Sequence, residues 1–252
     1  MLKKLLTKFV SWRLAITLIG FLAVFVFPFR EGFTLHGPEF KLPDLSLMWA
    51  SFDGQHYLKL AQYGYNHPQT GFMQAFFPVY PTAVRFLSSI FPTYLFSALT
   101  ISHLSFLAAL YFLIRLIKLD YDEKTAHSTV MLLLLFPTSF FFASVYSESL
   151  FLLIAVLVFF TARKKQWFLS SVLVGIATAT RLTGAFLIPA LLIEFWISNG
   201  KDIKKSFQNP SWIWFLLTPI GLISYMLFLQ RSVGDPFYFA TIQPLFGAQR
   251  EV

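Results

Sequence analysis

The chain predicts an all-α, polytopic membrane protein, and three observations carry that prediction. Of its 252 residues 56% are hydrophobic and only 13% are charged, and the mean hydropathy of +0.64 exceeds what a soluble domain carries. Apolar runs of membrane-crossing length recur along the chain. The basic residues gather in short clusters at the ends of those runs, so the net charge of +8 reads as a topology signal and not as a nucleic-acid surface. The alternating apolar and polar strands of roughly ten residues that an outer-membrane barrel needs are not seen.

Taken in order, Lys3, Lys4, Lys8 and Arg13 precede an apolar run from about Leu14 to Phe29, the pattern of a signal anchor. Phe27-Pro28-Phe29-Arg30 offers no small-residue cleavage site, so this first span is expected to stay. A polar island follows from Arg30 to Gln74, with a short helix expected over Gln55 to Gln62. Phe76 to Pro92 is apolar but broken by Pro78, Pro81 and Pro92 and carries Arg85, which fits an amphipathic helix along the outer interface. Further spans are expected near residues 93–114, 128–143, 148–162, 167–180, 183–198 and 211–230, about seven in all with the first.

The positive-inside rule orients these spans with the N-terminus in the cytoplasm. Four basic clusters then lie inside: Lys3, Lys4, Lys8 and Arg13; Arg115, Lys118 and Lys124; Arg163, Lys164 and Lys165; Lys201, Lys204 and Lys205. Asp53, the Ser147-Glu148-Ser149 turn, the Arg181-Leu182-Thr183-Gly184 turn and the segment beginning near Arg231 converge on the opposite, extracytoplasmic face. No internal repeat or linker divides the chain, so residues 1–252 read as one membrane domain.

Few residues are available for chemistry. With no cysteine and with five histidines, at 36, 56, 67, 103 and 127, that show no HxxxH or HExxH spacing, no metal site and no cofactor are expected. Asp53, in the run Phe52-Asp53-Gly54-Gln55-His56-Tyr57, is either a helix N-cap or a catalytic carboxylate. Ser147 and Glu148 open an apolar run and read first as a cap or dipole complement of that helix N-terminus, a role that can coexist with a functional one. Arg181 either snorkels to the interface or pairs with an anion. His56 lies one helical turn from Asp53 and is otherwise a solvated loop histidine, and His103 reads as a packing residue. Tyr63, Tyr65 and the Phe140-Phe141-Phe142 run read as interfacial and core aromatics.

Together the motifs resemble the GPI mannosyltransferase II (PIG-V) family of GT-C-type membrane glycosyltransferases, which has prokaryotic members. The resemblance rests on FDGQHYLKLAQYGY at 52–65, QAFFPVYP at 74–81, LFPTSFFFASVYSESLFLL at 135–153, RKKQW at 163–167, TRLTG at 180–184 and GDPFYFATIQ at 234–243, in the family's order. Phe52 stands where the family often has tryptophan. The resemblance implies a GT-C-like helix bundle that moves mannose from a polyprenyl-phosphate carrier to an acceptor hydroxyl on a glycolipid, glycan or protein outside the cytoplasm.

It further implies Asp53 as the catalytic base, Arg181, His56 and Arg231 as groups for the donor phosphate, and Tyr57, Glu148 and Gln243 as substrate-lining residues. A multi-pass protein of a prokaryotic plasma membrane, rather than of the endoplasmic reticulum, is the expected setting, with membrane lipids and no nucleic acid as partners. Relatives usually continue with further membrane helices after the segment matching Gly234 to Gln243, so part of the family's domain is expected to be missing. A transporter or flippase, which would place charges mid-membrane in related halves, and a non-catalytic membrane subunit are the competing classes.

Overall fold

The computed structural model describes residues 2–26 and 47–246, and every regular element among them is helical. The first part of the polar island, with Arg30, His36 and Lys41, lies outside the described residues, as does Arg250. Eleven α-helices are described: α1 (Leu2–Val26), α2 (Asp53–Tyr63), α3 (Val79–Ser88), α4 (Tyr94–Ile117), α5 (Glu123–Leu135), α6 (Glu148–Arg163), α7 (Trp167–Thr180), α8 (Leu187–Ser198), α9 (Ile203–Gln208), α10 (Ile220–Val233) and α11 (Tyr238–Thr241). Short 3-10 turns join several of them.

Three described segments are long and apolar enough to cross a membrane: Leu2–Ala23, Tyr94–Ile117 and Pro210–Val233. A fourth is α5 with the following turn Pro137–Ala143, if the pair counts as one span despite its 87° bend. The expected continuous span over 128–143 is therefore broken. Pro137 lacks the amide that a helix would use, and the chain turns there into a 3-10 segment. The span expected over 183–198 likewise starts as a 3-10 turn, Leu182–Phe186, and becomes α-helical only at Leu187. α6, α7 and α8 are shorter than a full crossing.

The centre of the bundle is the α4–α6 contact, followed by α6–α7. α4 buries the small residues Ser97, Ala98, Ser102, Ser105 and Ala109 together with Phe106, Leu110 and Ile114, and its Phe112 ring meets Phe160 of α6 at 5.5 Å between centroids. Thr93 caps this helix by accepting from the Phe96 amide at 3.1 Å, and Asp122 caps α5 by accepting from the Thr125 amide at 2.8 Å. At the basic end, Arg163 donates through both terminal nitrogens to the two oxygens of Asp120, each at 2.6 Å, and lies 3.4 Å from Glu194. That fork ties the end of α4 to α6 and α8.

Two placements bear on the site. Phe76 to Pro92 is helical only from Val79 to Ser88, and one face of that helix, Tyr80, Pro81 and Val84, is buried. That face packs chiefly on α2 and α4, while the opposite face, with Thr82, Arg85 and Phe86 and then Ser89 and Ile90, is exposed, the two-sided pattern of an amphipathic helix. Arg13, counted with the inner charges from sequence, sits 4.0 Å from the Trp49 ring and donates to the Ala143 carbonyl at 3.5 Å. It is thus held beside the segment that carries Asp53, because a long α1 beginning at Leu2 brings it a full three turns into the bundle.

α7 and α10 cross where two glycines meet. A Cβ at Gly221 would lie 2.0 Å from the Gly175 carbonyl oxygen and 2.7 Å from Thr178 Oγ1. Thr178 Oγ1 accepts from the Leu222 amide at 3.2 Å and donates to the Gly175 carbonyl at 2.8 Å, locking the crossing. Gly221→Ala is expected to cost at least about 1–3 kcal/mol by overpacking, read as a lower melting temperature of the purified protein.

Candidate active site

Asp53, Tyr57, Ser147, Glu148 and Arg181 come together from three helix ends. The loop before α6 is pinned to the start of α2. The Val145 amide donates to the Trp49 carbonyl at 2.8 Å, and the Tyr146 hydroxyl donates to the Ser51 carbonyl at 3.1 Å. Gly54 permits this docking, since a Cβ there would already be 3.3 Å from the Val145 carbonyl oxygen. The N-terminal ends of α2 and α6 thereby meet.

α7 supplies the third member. Gly184 folds back onto its last turn, where an added Cβ would lie 2.3 Å from the Ala177 carbonyl oxygen. The Gly184 amide also donates to the Arg181 carbonyl at 2.9 Å. The tight reversal leaves Arg181 extended at the end of α7 with its guanidinium on Glu148 Oε1, in an ion pair, and on Ser147 Oγ at 3.1 Å. Ser147 Oγ in turn lies 2.9 Å from the buried Tyr57 hydroxyl. Ser147 was expected as a helix cap, but it makes no side-chain cap bond, and its hydroxyl instead links Arg181 to Tyr57. Glu148 Oε2 is buried and has no hydrogen-bond partner among the described residues.

Asp53 does not act as an N-cap either. It occupies the first turn of α2, whose cap position is Phe52, with no side-chain cap bond. Phe52 adopts φ 54° and ψ −122°, a conformation an aromatic residue rarely takes and one found at strained functional positions. The Asp53 carboxylate lies on the wall between two cavities. One, of about 430 Å³, is lined by Tyr57, Thr180, Arg181, Thr183 and Gln243 and by the aromatics Phe76, Phe77, Phe239 and Phe246. The other, of about 610 Å³, is lined by Ser51, Phe52, Phe140, Phe141, Ser144, Tyr146 and Glu148. Asp53 is exposed by area and borders both recesses. Partial desolvation there raises its pKa above the ordinary carboxylate value, and the nearby Arg181 charge opposes the rise without cancelling it.

The remaining expected residues divide. Gln243 lines the smaller cavity, its amide nitrogen donating to the Phe239 carbonyl at 3.0 Å. His56 is on α2 but lies behind the cavity wall, against Phe76 at 5.1 Å and Phe246 at 5.3 Å between ring centroids. Burial, with Lys59 nearby, lowers its pKa, so the ring is poorly placed to serve as a cation. Arg231 is exposed in the last turn of α10 and lines neither cavity. In the GDP-containing segment, Asp235 accepts from the Phe237 amide at 2.8 Å and from Thr241 Oγ1 at 3.2 Å, which positions α11. Among the described residues no group of three or more acidic or histidine side chains gathers where a metal ion could be held.

Sequence reasoning did not single out Ser147 as a junction or Arg85 as a support. Arg85 Nε donates to the Ala61 carbonyl at 2.7 Å and Nη2 to the Gln62 carbonyl at 3.0 Å, closing the C-terminal end of α2. No local spacing could reveal either role, because Tyr57 is 90 residues from Ser147.

These features define a helical membrane protein with a charged, partly desolvated site at the junction of two cavities. The chain matches the family model described as Mannosyltransferase (PIG-V) over residues 41–223, and it belongs to that family. It is accordingly a mannosyltransferase, a membrane enzyme of the glycosyltransferase class. No curated protein and no solved structure matches the chain.

Proposed function

We propose that the chain transfers a mannosyl residue from a polyprenyl-phosphate carrier to an acceptor hydroxyl on the extracytoplasmic face of a prokaryotic plasma membrane, with the N-terminus cytoplasmic. In this reading α6, α7 and α8 also cross the bilayer, giving about seven spans in one GT-C-like domain, with the exposed side of α3 at the outer interface. The observation that carries the proposal is the position of Asp53, partly desolvated on the wall shared by two cavities and facing Arg181 across the more polar one.

The charges distribute the substrates. The smaller cavity holds Arg181 with Thr180, Thr183 and Gln243, a donor set suited to a phosphate, and its Phe76, Phe77, Phe239 and Phe246 suit an adjoining prenyl unit. Asp53 borders both cavities, but the larger adds Glu148 and no cation to it, so a phosphate there would meet only like charge, whereas an acceptor hydroxyl would find an acceptor for its proton. As the acceptor oxygen bonds to the anomeric carbon, its proton passes to the Asp53 carboxylate. The bond from that carbon to the phosphate oxygen breaks, and its electron pair leaves with the polyprenyl phosphate, whose growing charge Arg181 stabilises. The phosphate is already a good leaving group, so no general acid is required. This assigns the phosphate to Arg181 and leaves His56 and Arg231 without a direct role.

The test is transfer of labelled mannose from polyprenyl-phosphate mannose to extracted acceptors by the purified protein. A photoreactive polyprenyl phosphate is expected to label the segment 76–92, and labelling confined to other helices would reject the donor placement.

A further inference from the structure

At the end of the bundle away from Asp53, α8, α9 and the 3-10 segment Pro210–Leu217 enclose a second kind of recess. It measures about 380 Å³ and is lined by Leu192, Phe195, Trp196, Phe207, Trp212 and Phe215 among others, with hardly a polar atom on its wall. α8 starts just after the Arg181 turn, and the residues it gives to this recess, Leu192 to Trp196, lie about 8–14 Å further along its axis. It plays no part in the proposed transfer.

α9 makes the recess two-sided. Ile203, Ser206 and Phe207 line it, while Lys204 and Lys205 point from the same short helix to solvent, beside Lys201 in the preceding turn. The acidic counterpart is slight: Asp202 lies 3.9 Å from Lys205 and spends one oxygen capping α9, accepting from the Lys205 amide at 3.2 Å. No acidic side chain bridges Lys201 or Lys204 among the described residues. The turn is built, not loose. Asn209 donates from its side chain to Asn199 Oδ1 at 3.0 Å, and Gly200 and Lys201 both take left-handed φ values, 75° and 59°. Ile203 and Phe207 nonetheless stay 66% and 69% exposed, an apolar lip directly beneath the lysines.

We infer that this recess is a binding site for an anionic phospholipid, with an acyl chain against Trp196, Phe207 and Trp212 and the phosphate headgroup on Lys201, Lys204 and Lys205. An apolar slot alone would accept any lipid. The three lysines above it, opposed by one partly engaged carboxylate, select a negative headgroup. The two tryptophans have the amphipathic rings that favour the boundary between hydrocarbon and headgroup. The inference does not depend on the catalytic reading.

The purified full chain in detergent is titrated with phosphatidylglycerol or phosphatidylcholine carrying the same brominated acyl chains, and quenching of tryptophan fluorescence is followed. Phosphatidylglycerol is expected to quench at about fivefold lower concentration or less, the effect of a single surface lysine on an anionic membrane. Exchanging the exposed lysines together, Lys201→Gln, Lys204→Gln and Lys205→Gln, should abolish the preference while leaving phosphatidylcholine quenching and the melting temperature unchanged. The pair Trp196→Phe and Trp212→Phe should remove the phosphatidylglycerol-selective part of the signal. Equal quenching by both lipids, a preference that survives the lysine exchange, or a self-associated chain that shields the recess from both would each overturn the inference.

Discussion

Asp53→Asn is expected to lower mannosyl transfer by about 10²- to 10⁴-fold, the usual contribution of a positioned general base, without lowering stability. The two readouts separate a catalytic residue from a structural one. Desolvation raises the carboxyl pKa in the folded chain above its unfolded value, in spite of the opposing Arg181 charge. The associated stability is therefore fully present below the unfolded pKa and is lost as pH rises through the folded one. At neutral pH the ionised side chain costs stability, so the neutral amide should melt at or above the wild-type temperature.

Activity follows the opposite sign. The base must be ionised, so kcat/KM should fall on acidification at a pH above the ordinary carboxylate range, and the residual activity of Asp53→Asn should lack that limb. Unchanged transfer by the variant would remove Asp53 as the base. A variant that simply fails to fold would return it to a structural role.

Arg181→Ala is the second large effect, and it should damage both stability and turnover. Its guanidinium pairs with Glu148 and bonds to Ser147, with 34% of the arginine side chain and 28% of the glutamate side chain exposed. Breaking a fully buried pair costs about 3–5 kcal/mol, whereas an exposed pair contributes about 0–1 kcal/mol. The partial exposure places the expected loss near 2 kcal/mol. Most of it reflects Glu148, whose Oε2 already lacks a hydrogen-bond partner among the described residues and whose Oε1 would then lose its cation.

Adding Glu148→Gln to Arg181→Ala should therefore recover much of the melting temperature. It should not recover transfer, which is expected to remain about 10²- to 10³-fold down because the departing phosphate has lost its donor. Arg181→Lys keeps the charge but loses the fork that reaches Ser147 and Glu148 together, and an intermediate rate is expected. Full recovery of transfer in the double variant would assign Arg181 a purely structural role.

Much of the site was legible in the sequence because charges are scarce in an apolar chain. Glu148 opens and Arg181 follows a hydrophobic run, and Asp53 stands in the polar island between two of them; an ionisable group at such a place needs a partner or a task. The capping alternatives were legible too, and the structure removes them at Asp53 and Ser147, where no side-chain cap bond forms. Gln243 and His56 lie in quoted motifs, and Arg231 just precedes one; of the three only Gln243 lines a cavity, while His56 and Arg231 stand off both. Thr180 and Thr183 carry no signal that distinguishes them from other small polar residues near helix ends.

Composition and the spacing of basic clusters determined by themselves that this is a helical membrane protein, because burying backbone polar groups in hydrocarbon permits few other arrangements. The ordered motifs determined its family. Only the tertiary structure decided that residues far apart in the chain share a hydroxyl–guanidinium–carboxylate chain, that Asp53 stands between two cavities, and that Pro137 turns an expected span through 87°. The reason is that apolar periodicity reports which residues leave water, and it is silent on which helix they meet. That choice is made by close backbone approaches such as Gly184 against Ala177 and Gly221 against Gly175, which depend on both partners at once.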